Sequence, residues 1–262
     1  MSYASATEPL RAANLLAGRE IYRLSIFSPD GAPVLSSSGV SVPAEPLPAR
    51  GSGLGTAFVC AGGLPRDWRY PGVLACLRQL SREGVRIGGI SGGPYLMAAA
   101  GLLAGRDFTI HWEHAAALLE AFPDLTPHQA RFMIDGNRIT CGGGIAPLDM
   151  MHVLIAERMG PDFARRVSDW YLHTEVNEPA APQRASLAER YGVHHPGLLS
   201  VLERMPKPFK GLTGNGCHAH ISVWDLDGKV NAFADKEMAF GLSAQGKTFL
   251  GGIMRSSAKA TS

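Results

Sequence analysis

Residues 85–94 read Val85-Arg86-Ile87-Gly88-Gly89-Ile90-Ser91-Gly92-Gly93-Pro94, and they decide the fold. The apolar, β-branched half of this stretch predicts a buried strand. The residues from Tyr95 to Gly105 predict a helix, because apolar side chains recur at helical spacing and Gly105 is suited to end it. We therefore expect Ser91 on a tight strand-to-helix turn, where its glycine neighbours permit strained backbone angles.

The same turn satisfies the pattern G-x-S-x-G, in Gly89-Ile90-Ser91-Gly92-Gly93. This pattern holds a serine side chain at the carboxyl edge of a sheet, beside free N–H groups at the start of a helix. Such a turn serves either nucleophilic chemistry or ligand binding. The pattern predicts a site here and leaves its chemistry open.

The bulk composition is that of an ordinary globular protein. The chain has 262 residues, 45% hydrophobic and 18% charged, with a formal net charge of +2. This length fits one large α/β domain, or a medium domain with an appendage, and the small charge argues against a dedicated nucleic-acid surface. The four cysteines lack C-x-x-C spacing, so neither a zinc site nor a disulfide framework is indicated. Without a signal pattern or a long apolar run, we expect a cytoplasmic protein that makes no membrane contact.

Strand and helix patterns alternate along the chain. The other predicted elements are a helix capped by Thr7 and ended by Gly18, a strand at 21–27, a hairpin at 34–42, a strand at 56–60, a helix ended by Gly84, a strand at 108–112, strands at 131–134 and 138–141 around a tight turn, and helices ended by Gly160, around 163–171 and over 197–205. This alternation predicts a parallel sheet covered on both faces. Ligands bind such sheets beyond the carboxyl ends of the strands, where Gly62-Gly63, Ser91 and 142–144 fall, so we expect a pocket there.

Several short motifs occur in a fixed order over some 200 residues. They are Glu8-Pro9-Leu10-Arg11-Ala12-Ala13-Asn14, Ser28-Pro29-Asp30-Gly31, Gly89-Ile90-Ser91-Gly92-Gly93, Thr109-Ile110-His111-Trp112-Glu113-His114, Ile139-Thr140-Cys141-Gly142-Gly143, Pro182-Gln183-Arg184 and Gly192-Val193-His194-His195-Pro196. Through them, residues 4 to about 205 resemble the N-terminal sensor domain of GlxA-type AraC-family transcriptional regulators, a branch of the ThiJ/PfpI (class I glutamine amidotransferase-like) superfamily. The resemblance implies a Rossmann-like, three-layer α/β sandwich with a parallel sheet.

A second resemblance lies further along the chain. Lys207-Pro208-Phe209 and Thr213-Gly214-Asn215-Gly216-Cys217-His218-Ala219-His220-Ile221-Ser222 are similar to the ATP-region signature of the glutamine synthetase catalytic domain. The resemblance implies that His218 would ligate a metal ion and that His220 and Ser222 would contact ATP. The family's ligating carboxylates are missing from this fragment, so we expect no cofactor, with ATP and Mg²⁺ relevant only if the fragment were functional.

Together the resemblances divide the chain into four segments. We predict a ThiJ/PfpI-like sensor domain at 1–175 without the family's first strand, a linker with the remnant of the first DNA-binding helix at 176–205, a β-rich glutamine synthetase-like fragment at 206–254 and a disordered tail at 255–262. The chain resembles a fusion of two truncated genes. The resulting interpretation is a non-catalytic, small-molecule-sensing regulator domain that lacks its helix-turn-helix and does not bind DNA. The alternatives are a glutamine synthetase-type ligase and a PfpI-type amidase.

The amidase alternative rests on the serine of the turn. Enzymes of the superfamily carry a cysteine at this position, whereas this chain has Ser91 followed by Gly92. A serine hydroxyl needs a base within hydrogen-bond reach to act as a nucleophile. The resemblance brings Glu8 near the turn, and either His111 or His114 could be the base, with His111 completing the candidate triad. Ser91, Glu8 and His111 are therefore the candidate catalytic residues.

The sensor interpretation instead predicts a ligand site at the same edge of the sheet. Its candidate residues are Gly63, Ser91, Gly92, His111, Trp112 and Glu113. The resemblance implies metabolites such as the quaternary amines carnitine and betaine, for which Trp112 would supply an aromatic face and Glu113 a carboxylate. The alternative role of Trp112 is core packing. A homodimer would cover the sheet edge that the missing strand leaves open.

Overall fold

A computed structural model of the chain describes residues 1–68, 70–204 and 243–244. The chain divides into two compact units, the first spanning Met1–Ala185 and the second beginning at Ser186. The second unit contains helices α7 (Leu187–Tyr191) and α8 (Pro196–Arg204), and α8 confirms the helix predicted over 197–205. The predictions for 206–254 and 255–262 fall outside the described residues, apart from residues 243–244.

The first unit is built from six α-helices and eight strands among the described residues. The helices are α1 (Ser2–Ala17), α2 (Pro71–Arg82), α3 (Gly93–Ala99), α4 (Ala115–Ala121), α5 (Ala146–Met159) and α6 (Pro161–Trp170). The strands are β1 (Phe27–Ser28), β2 (Val34–Leu35), β3 (Ser41–Val42), β4 (Glu45–Pro46), β5 (Thr56–Ala61), β6 (Arg86–Ser91), β7 (Phe132–Asp135) and β8 (Arg138–Cys141). A short 3₁₀ turn at Pro65–Asp67 precedes α2.

The main sheet has the strand order β5-β6-β8-β7. Strand β6 pairs in parallel with both β5 and β8, whereas β7 pairs antiparallel with β8 across a tight turn. Two smaller pairs lie outside this sheet, a parallel one between β1 and β4 and an antiparallel hairpin between β2 and β3. The sheet is thus mostly parallel and the predicted α/β class is confirmed.

The apolar core lies on both faces of this sheet. Ile87 of β6 belongs to one cluster with Leu77 of α2 and Met97 of α3. Ile90 of the same strand belongs to another cluster, with Met150 of α5. Because side chains alternate between the two faces of a strand, Ile87 and Ile90 point into opposite layers. The first unit is a three-layer sandwich of helices, sheet and helices.

Close packing explains Gly88 within the central strand β6 and Gly93 just after it. A Cβ atom at Gly93 would lie 2.0 Å from the Val59 carbonyl oxygen, and one at Gly88 would lie 2.2 Å from the Phe58 ring. Real Cβ atoms do not approach other atoms this closely. Helix α3 can therefore begin directly against β5 only because position 93 has no side chain.

Many of the predicted elements are confirmed. These are the strands at 56–60, 131–134 and 138–141, the hairpin at 34–42 and the helices ended by Gly84 and Gly160. Helix α6 confirms the helix expected around 163–171. Within residues 1–68 and 70–204, no helix is long and apolar enough to cross a membrane.

The predicted start of α1 at Thr7 is wrong, because the helix begins at Ser2 and carries Pro9 in its interior. Thr7 does not cap the helix; its hydroxyl donates to the Tyr3 carbonyl at 3.0 Å. Ser5, Pro9 and three alanines of this helix are buried. Packing of this face outweighs the local signal, as is usual for helices in folded proteins. Gly18 does end the helix, at φ 64°.

Two predicted strands are also wrong, because side chains occupy the backbone groups that a ladder would use. In 21–27 only Phe27 joins a strand, and the Asn14 carboxamide accepts from the N–H groups of Ile21 and Tyr22 at 2.7 and 2.9 Å. In 108–112 the sheet is reduced to one bridge, between Thr109 and His128. Backbone satisfied by side chains has no need of a neighbouring strand.

The helix after Ser91 is shorter than predicted. Helix α3 ends at Ala99, and Gly101 rather than Gly105 provides the stop, at φ 76°. The Gly101 N–H donates to the Ala98 carbonyl at 2.8 Å, and the Leu102 N–H donates to the Met97 carbonyl at 3.0 Å. These two bonds form a Schellman motif, which satisfies the last carbonyls of the helix.

The Gly93→Ala substitution should destabilise the fold strongly, since its Cβ would meet the backbone of β5. We expect a loss of about 1 to 3 kcal/mol in the free energy of unfolding, measured by urea denaturation. Gly62→Ala is the matched control, because nothing lies within 4 Å of a Cβ at that position. The control should change stability by less than about 0.5 kcal/mol. Equal stability of the two variants would contradict the packing described here.

Candidate functional site

The serine turn has the geometry of a nucleophile elbow. Ser91 ends β6 with φ 61°, in the left-handed region that few non-glycine residues adopt. The elbow's usual N–H donor is that of the residue after the serine. In this chain the Gly92 N–H already donates to the Ala61 carbonyl at 2.9 Å. The turn predicted from the sequence is present, but this expected free N–H group is not.

The elbow is covered on two sides. A Cβ at Gly92 would lie 2.1 Å from the Trp68 ring, and one at Gly143 would lie 2.8 Å from the Ser91 Cβ. Trp68 is held in place by its indole N–H, which donates to the Gly62 carbonyl at 2.9 Å. The Gly144 N–H donates to the Ser2 hydroxyl at 2.9 Å, which brings the start of α1 over the same loop.

The structure does not connect the candidate catalytic residues through hydrogen bonds. The Glu8 carboxylate accepts from Arg11 at 2.8 Å and from the Tyr171 hydroxyl at 3.3 Å. His111 Nδ1 accepts from the Glu113 N–H at 3.3 Å. In the described part of the chain, no hydrogen bond reaches the Ser91 hydroxyl from either side chain. His111 meets the elbow through its backbone instead, since its N–H donates to the Ser91 carbonyl at 3.2 Å.

A cavity of about 330 Å³ lies beside the elbow, at the carboxyl edge of the sheet. It is lined by His111, Trp112, Arg131, Gly142, Gly143, Gly144, Ile145, Ala146 and Gln183. Of the predicted ligand-binding residues, His111 and Trp112 contribute to this lining. Gly63, Ser91, Gly92 and Glu113 do not line it, although Ser91 lies directly behind Gly143.

One wall of the cavity depends on Gln183, a residue missing from the predicted site. Its Nε2 lies 2.9 Å from the Ile110 carbonyl and 2.7 Å from the Ala130 carbonyl. Its Oε1 accepts from the Trp112 N–H at 2.9 Å. The amide therefore joins two stretches of backbone at the cavity, residues 110–112 and Ala130. The motif Pro182-Gln183-Arg184 was the sequence signal that pointed to it.

A second group that sequence reasoning missed is the Asp149 cluster, formed by Arg131, Asp149, His173 and Asn177. Asp149 is fully buried, with Arg131 Nε at 2.9 Å and His173 Nε2 at 2.8 Å from its carboxylate. The Asn177 N–H donates to it at 3.0 Å. The only sequence signal was an acidic residue among apolar neighbours in the first turn of α5. The cluster fixes the orientation of Arg131 on the cavity wall.

Trp112 stands at the cavity with 41% of its surface exposed, so it is not a core residue. The Arg184 guanidinium lies over its ring, 3.9 Å from the ring centroid. This is the geometry of a cation–π contact. Glu113 points outward, with its carboxylate 3.9 Å from His111 Nδ1 and its side chain 61% exposed. The aromatic face predicted from the sequence therefore already holds a cation from the chain itself.

The titratable groups near the elbow are tuned mainly by burial. Burial lowers the pKa of His111 and of His114, so both imidazoles are neutral at neutral pH. Burial raises the pKa of the Cys141 thiol to about 12, which leaves this cysteine unreactive. The residues assigned by the second resemblance, His218, His220 and Ser222, lie outside the described residues.

Two family profiles match the chain. Residues 2–157 match the DJ-1/PfpI family, and residues 201–262 match the catalytic domain of glutamine synthetase. The first match covers all strands of the main sheet and helices α1 to α4, with most of α5. The second begins within α8 and continues through the part of the chain that is mostly outside the described residues.

Individual relatives show the same division. The HTH-type transcriptional regulator GlxA of Rhizobium meliloti is 65% identical over 206 residues, which are 78% of this chain and 64% of that protein. A glutamine synthetase of Rhizobium leguminosarum bv. phaseoli is 74% identical over 70 residues, 27% of this chain and 14% of that protein. Among solved structures, an AraC family transcriptional regulator from Pseudomonas putida superposes with a TM-score of 0.60 at 28% identity, covering 65% of this chain and 91% of that one. The chain thus spans less than two thirds of the regulator's length.

Asp149→Asn should be strongly destabilising, because it leaves the Arg131 charge without its buried partner. We expect a loss of about 3 to 5 kcal/mol in the free energy of unfolding. Glu157→Gln removes a partner from the exposed Arg86–Glu157 pair, where the atoms are 3.2 Å apart, and should cost less than about 1 kcal/mol. Urea denaturation of both variants measures the difference. Similar losses in the two would mean that the cluster does not hold this edge of the unit together.

Proposed function

The chain belongs to the DJ-1/PfpI family, and from its cavity and elbow we propose that residues 1–185 form a non-catalytic domain that senses a small molecule for a transcriptional regulator. The observation that carries the proposal is the cavity of about 330 Å³, which is within the range of small-molecule sites. The similarity to HTH-type regulators supports it. We further propose that this domain acts in the cytoplasm and binds its ligand without a cofactor.

The amidase alternative is disfavoured by the surroundings of Ser91. Acyl transfer needs a base near the hydroxyl and a free N–H group for the developing oxyanion. The Gly92 N–H donates to the Ala61 carbonyl, so it is not free. The Glu8 carboxylate accepts from Arg11, and His111 Nδ1 accepts from the Glu113 N–H. We therefore infer that the elbow shapes the site and does not cut bonds.

The glutamine synthetase alternative rests on a fragment. The matched relative is covered over 14% of its length. A ligase of that class binds its metal ions through carboxylates, and those of the family are missing from this stretch. We propose that the fragment has no ligase activity, and that His218, His220 and Ser222 do not form an ATP site on their own.

The lining of the cavity suggests a zwitterion as the ligand, with a quaternary amine at one end. Arg131, whose side chain is 15% exposed, is suited to a carboxylate. The half-exposed Trp112 ring is suited to a trimethylammonium group, which would take the position that Arg184 now occupies. Carnitine and betaine combine both groups. Because Arg184 lies two residues before the start of the second unit along the chain, its displacement would offer a route for the signal.

The partners we propose for this chain are a small metabolite and a second copy of the chain, and not DNA. Similarity to the regulator covers 206 residues, and the glutamine synthetase profile begins at residue 201. We infer that the chain lacks the helix-turn-helix of its relatives. Strand β5 pairs only with β6 in the described sheet, and a second copy in a homodimer would cover its other edge.

A fluorophosphonate probe should not label Ser91 in the folded chain, because the hydroxyl lacks the base that activates a serine nucleophile. Labelling is read by peptide mass spectrometry, with a known serine hydrolase in the same tube as the positive control. We expect modification of the hydrolase and no modification of the Ser91 peptide above the level of a Ser91→Ala variant. Stoichiometric labelling at Ser91 would contradict the non-catalytic proposal and support the amidase alternative.

Calorimetric titration with carnitine and betaine tests the ligand class. We expect binding that weakens about tenfold in Trp112→Leu, the loss expected for a desolvated cation–π contact of about 1 to 2 kcal/mol. Trp170→Leu is the matched control, since Trp170 is 53% exposed on α6 and does not line the cavity. Choline and butyrate, each carrying one of the two charged groups, should bind more weakly than carnitine.

The outcomes separate the ligand class from the sensing function. Binding of carnitine that is unchanged in Trp112→Leu would reject the aromatic site and keep the sensor. Flat heats with every quaternary amine, followed by a lack of thermal stabilisation by any member of a metabolite set, would reject the sensor itself.

A further inference from the structure

Three metal-ligating side chains meet at the turn between the elbow and helix α4. The ligand atoms of His111, Glu113 and His114 all lie within 4.8 Å of one another. We propose that these three residues form a binding site for a late first-row divalent cation, with Zn²⁺ as the best match. The inference is independent of the ligand-sensing function. It departs from the expectation that the chain holds no cofactor, under which His218 was a metal ligand by resemblance alone.

The backbone of this turn is fixed from both sides. The His111 N–H donates to the Ser91 carbonyl at 3.2 Å, and the His114 N–H donates to the His111 carbonyl at 2.9 Å. The His114 carbonyl in turn accepts from Leu118 at 3.0 Å, as the N-cap of α4. Both imidazoles are thus attached to backbone positions that the elbow and the helix hold rigidly, which lowers the cost of ordering a metal site.

The rings themselves are also restrained. His114 is 7% exposed and packs edge-on against Trp68, with ring centroids 5.0 Å apart. The centroids of His111 and His114 are 5.6 Å apart. Glu113, by contrast, has a long, exposed side chain, which can rotate toward a bound ion.

The donor set decides the class of metal. Two imidazole nitrogens and one carboxylate oxygen match Zn²⁺ and its neighbours in the series, whereas Mg²⁺ and Ca²⁺ prefer oxygen ligands. Bonds of about 2.0 to 2.2 Å require ligand atoms closer than 4.8 Å, so binding needs a small inward rotation of the side chains. At His111 Nδ1 the metal would replace the long 3.3 Å contact with the Glu113 N–H.

Three protein ligands leave one position of a tetrahedral Zn²⁺ open. His111 also lines the cavity, so this ligand connects the metal site to it. The fourth ligand is then water or a donor atom of a molecule held in the cavity. The site has the composition of an open metal centre and not of a closed structural one.

Titration of the full chain with Zn²⁺ tests the site, in a background that carries His218→Ala and His220→Ala so that those histidines cannot contribute. We expect one Zn²⁺ per chain by calorimetry, and a tetrahedral-type visible spectrum with Co²⁺. Glu113→Gln, His111→Ala and His114→Ala should each weaken Zn²⁺ binding by more than about tenfold, since even outer-shell partners contribute about 10- to 100-fold.

His128→Ala is the matched control, because His128 bonds Asp107 at 2.8 Å and lies outside the cluster. It should leave the affinity unchanged. Because His114 is buried, far-ultraviolet circular dichroism checks that His114→Ala is folded. If it is not, the exposed Glu113→Gln gives the decisive measurement. Absence of stoichiometric binding, or equal affinities of Glu113→Gln and the parent chain, would overturn the proposal.

Discussion

The cavity exists because a buried carboxylate has to be neutralised. Asp149 is fully buried in the first turn of α5, where an unpaired charge would be very costly. Its partners come from Arg131, just before β7, and from His173 and Asn177, beyond α6. The charge therefore draws the segment after α6 back over the carboxyl edge of the sheet. Gln183, six residues past Asn177, is thereby brought to the wall of the cavity.

Side-chain amides satisfy backbone hydrogen-bonding groups that a neighbouring strand satisfies elsewhere in the sheet. Gln183 bonds the backbone of Ile110 and Trp112, and Asn14 bonds that of Ile21 and Tyr22. An amide carries donors and an acceptor, so it can satisfy extended backbone that has no neighbouring strand. At 109–112 this freedom matters, because the backbone can turn after His111 and present that residue and Trp112 to the cavity.

Predictability from the sequence follows the range of the interactions involved. The elbow at Ser91, the turn at 135–137 and the end of α5 at Gly160 carry local signals, and all three were predicted. The start of α1 depends on packing. The Asp149 cluster and the bonds of Gln183 join residues 18 to 74 positions apart, which no local pattern reveals. The sequence therefore pointed to the edge of the sheet where the cavity lies, but of the nine residues that line the cavity only His111 and Trp112 were candidate ligand-binding residues.

The strained backbone of the elbow positions the walls of the cavity. Its strained angle at Ser91 turns the Ser91 carbonyl toward the His111 N–H and sets the Cβ against Gly143. Both contacts locate walls of the cavity, and neither needs a reactive side chain. Strain at a functional site costs about 1 to 3 kcal/mol and persists only where the surroundings enforce it. Here the enforcing contacts are those that shape the cavity, so packing around the cavity is sufficient to explain the strained turn.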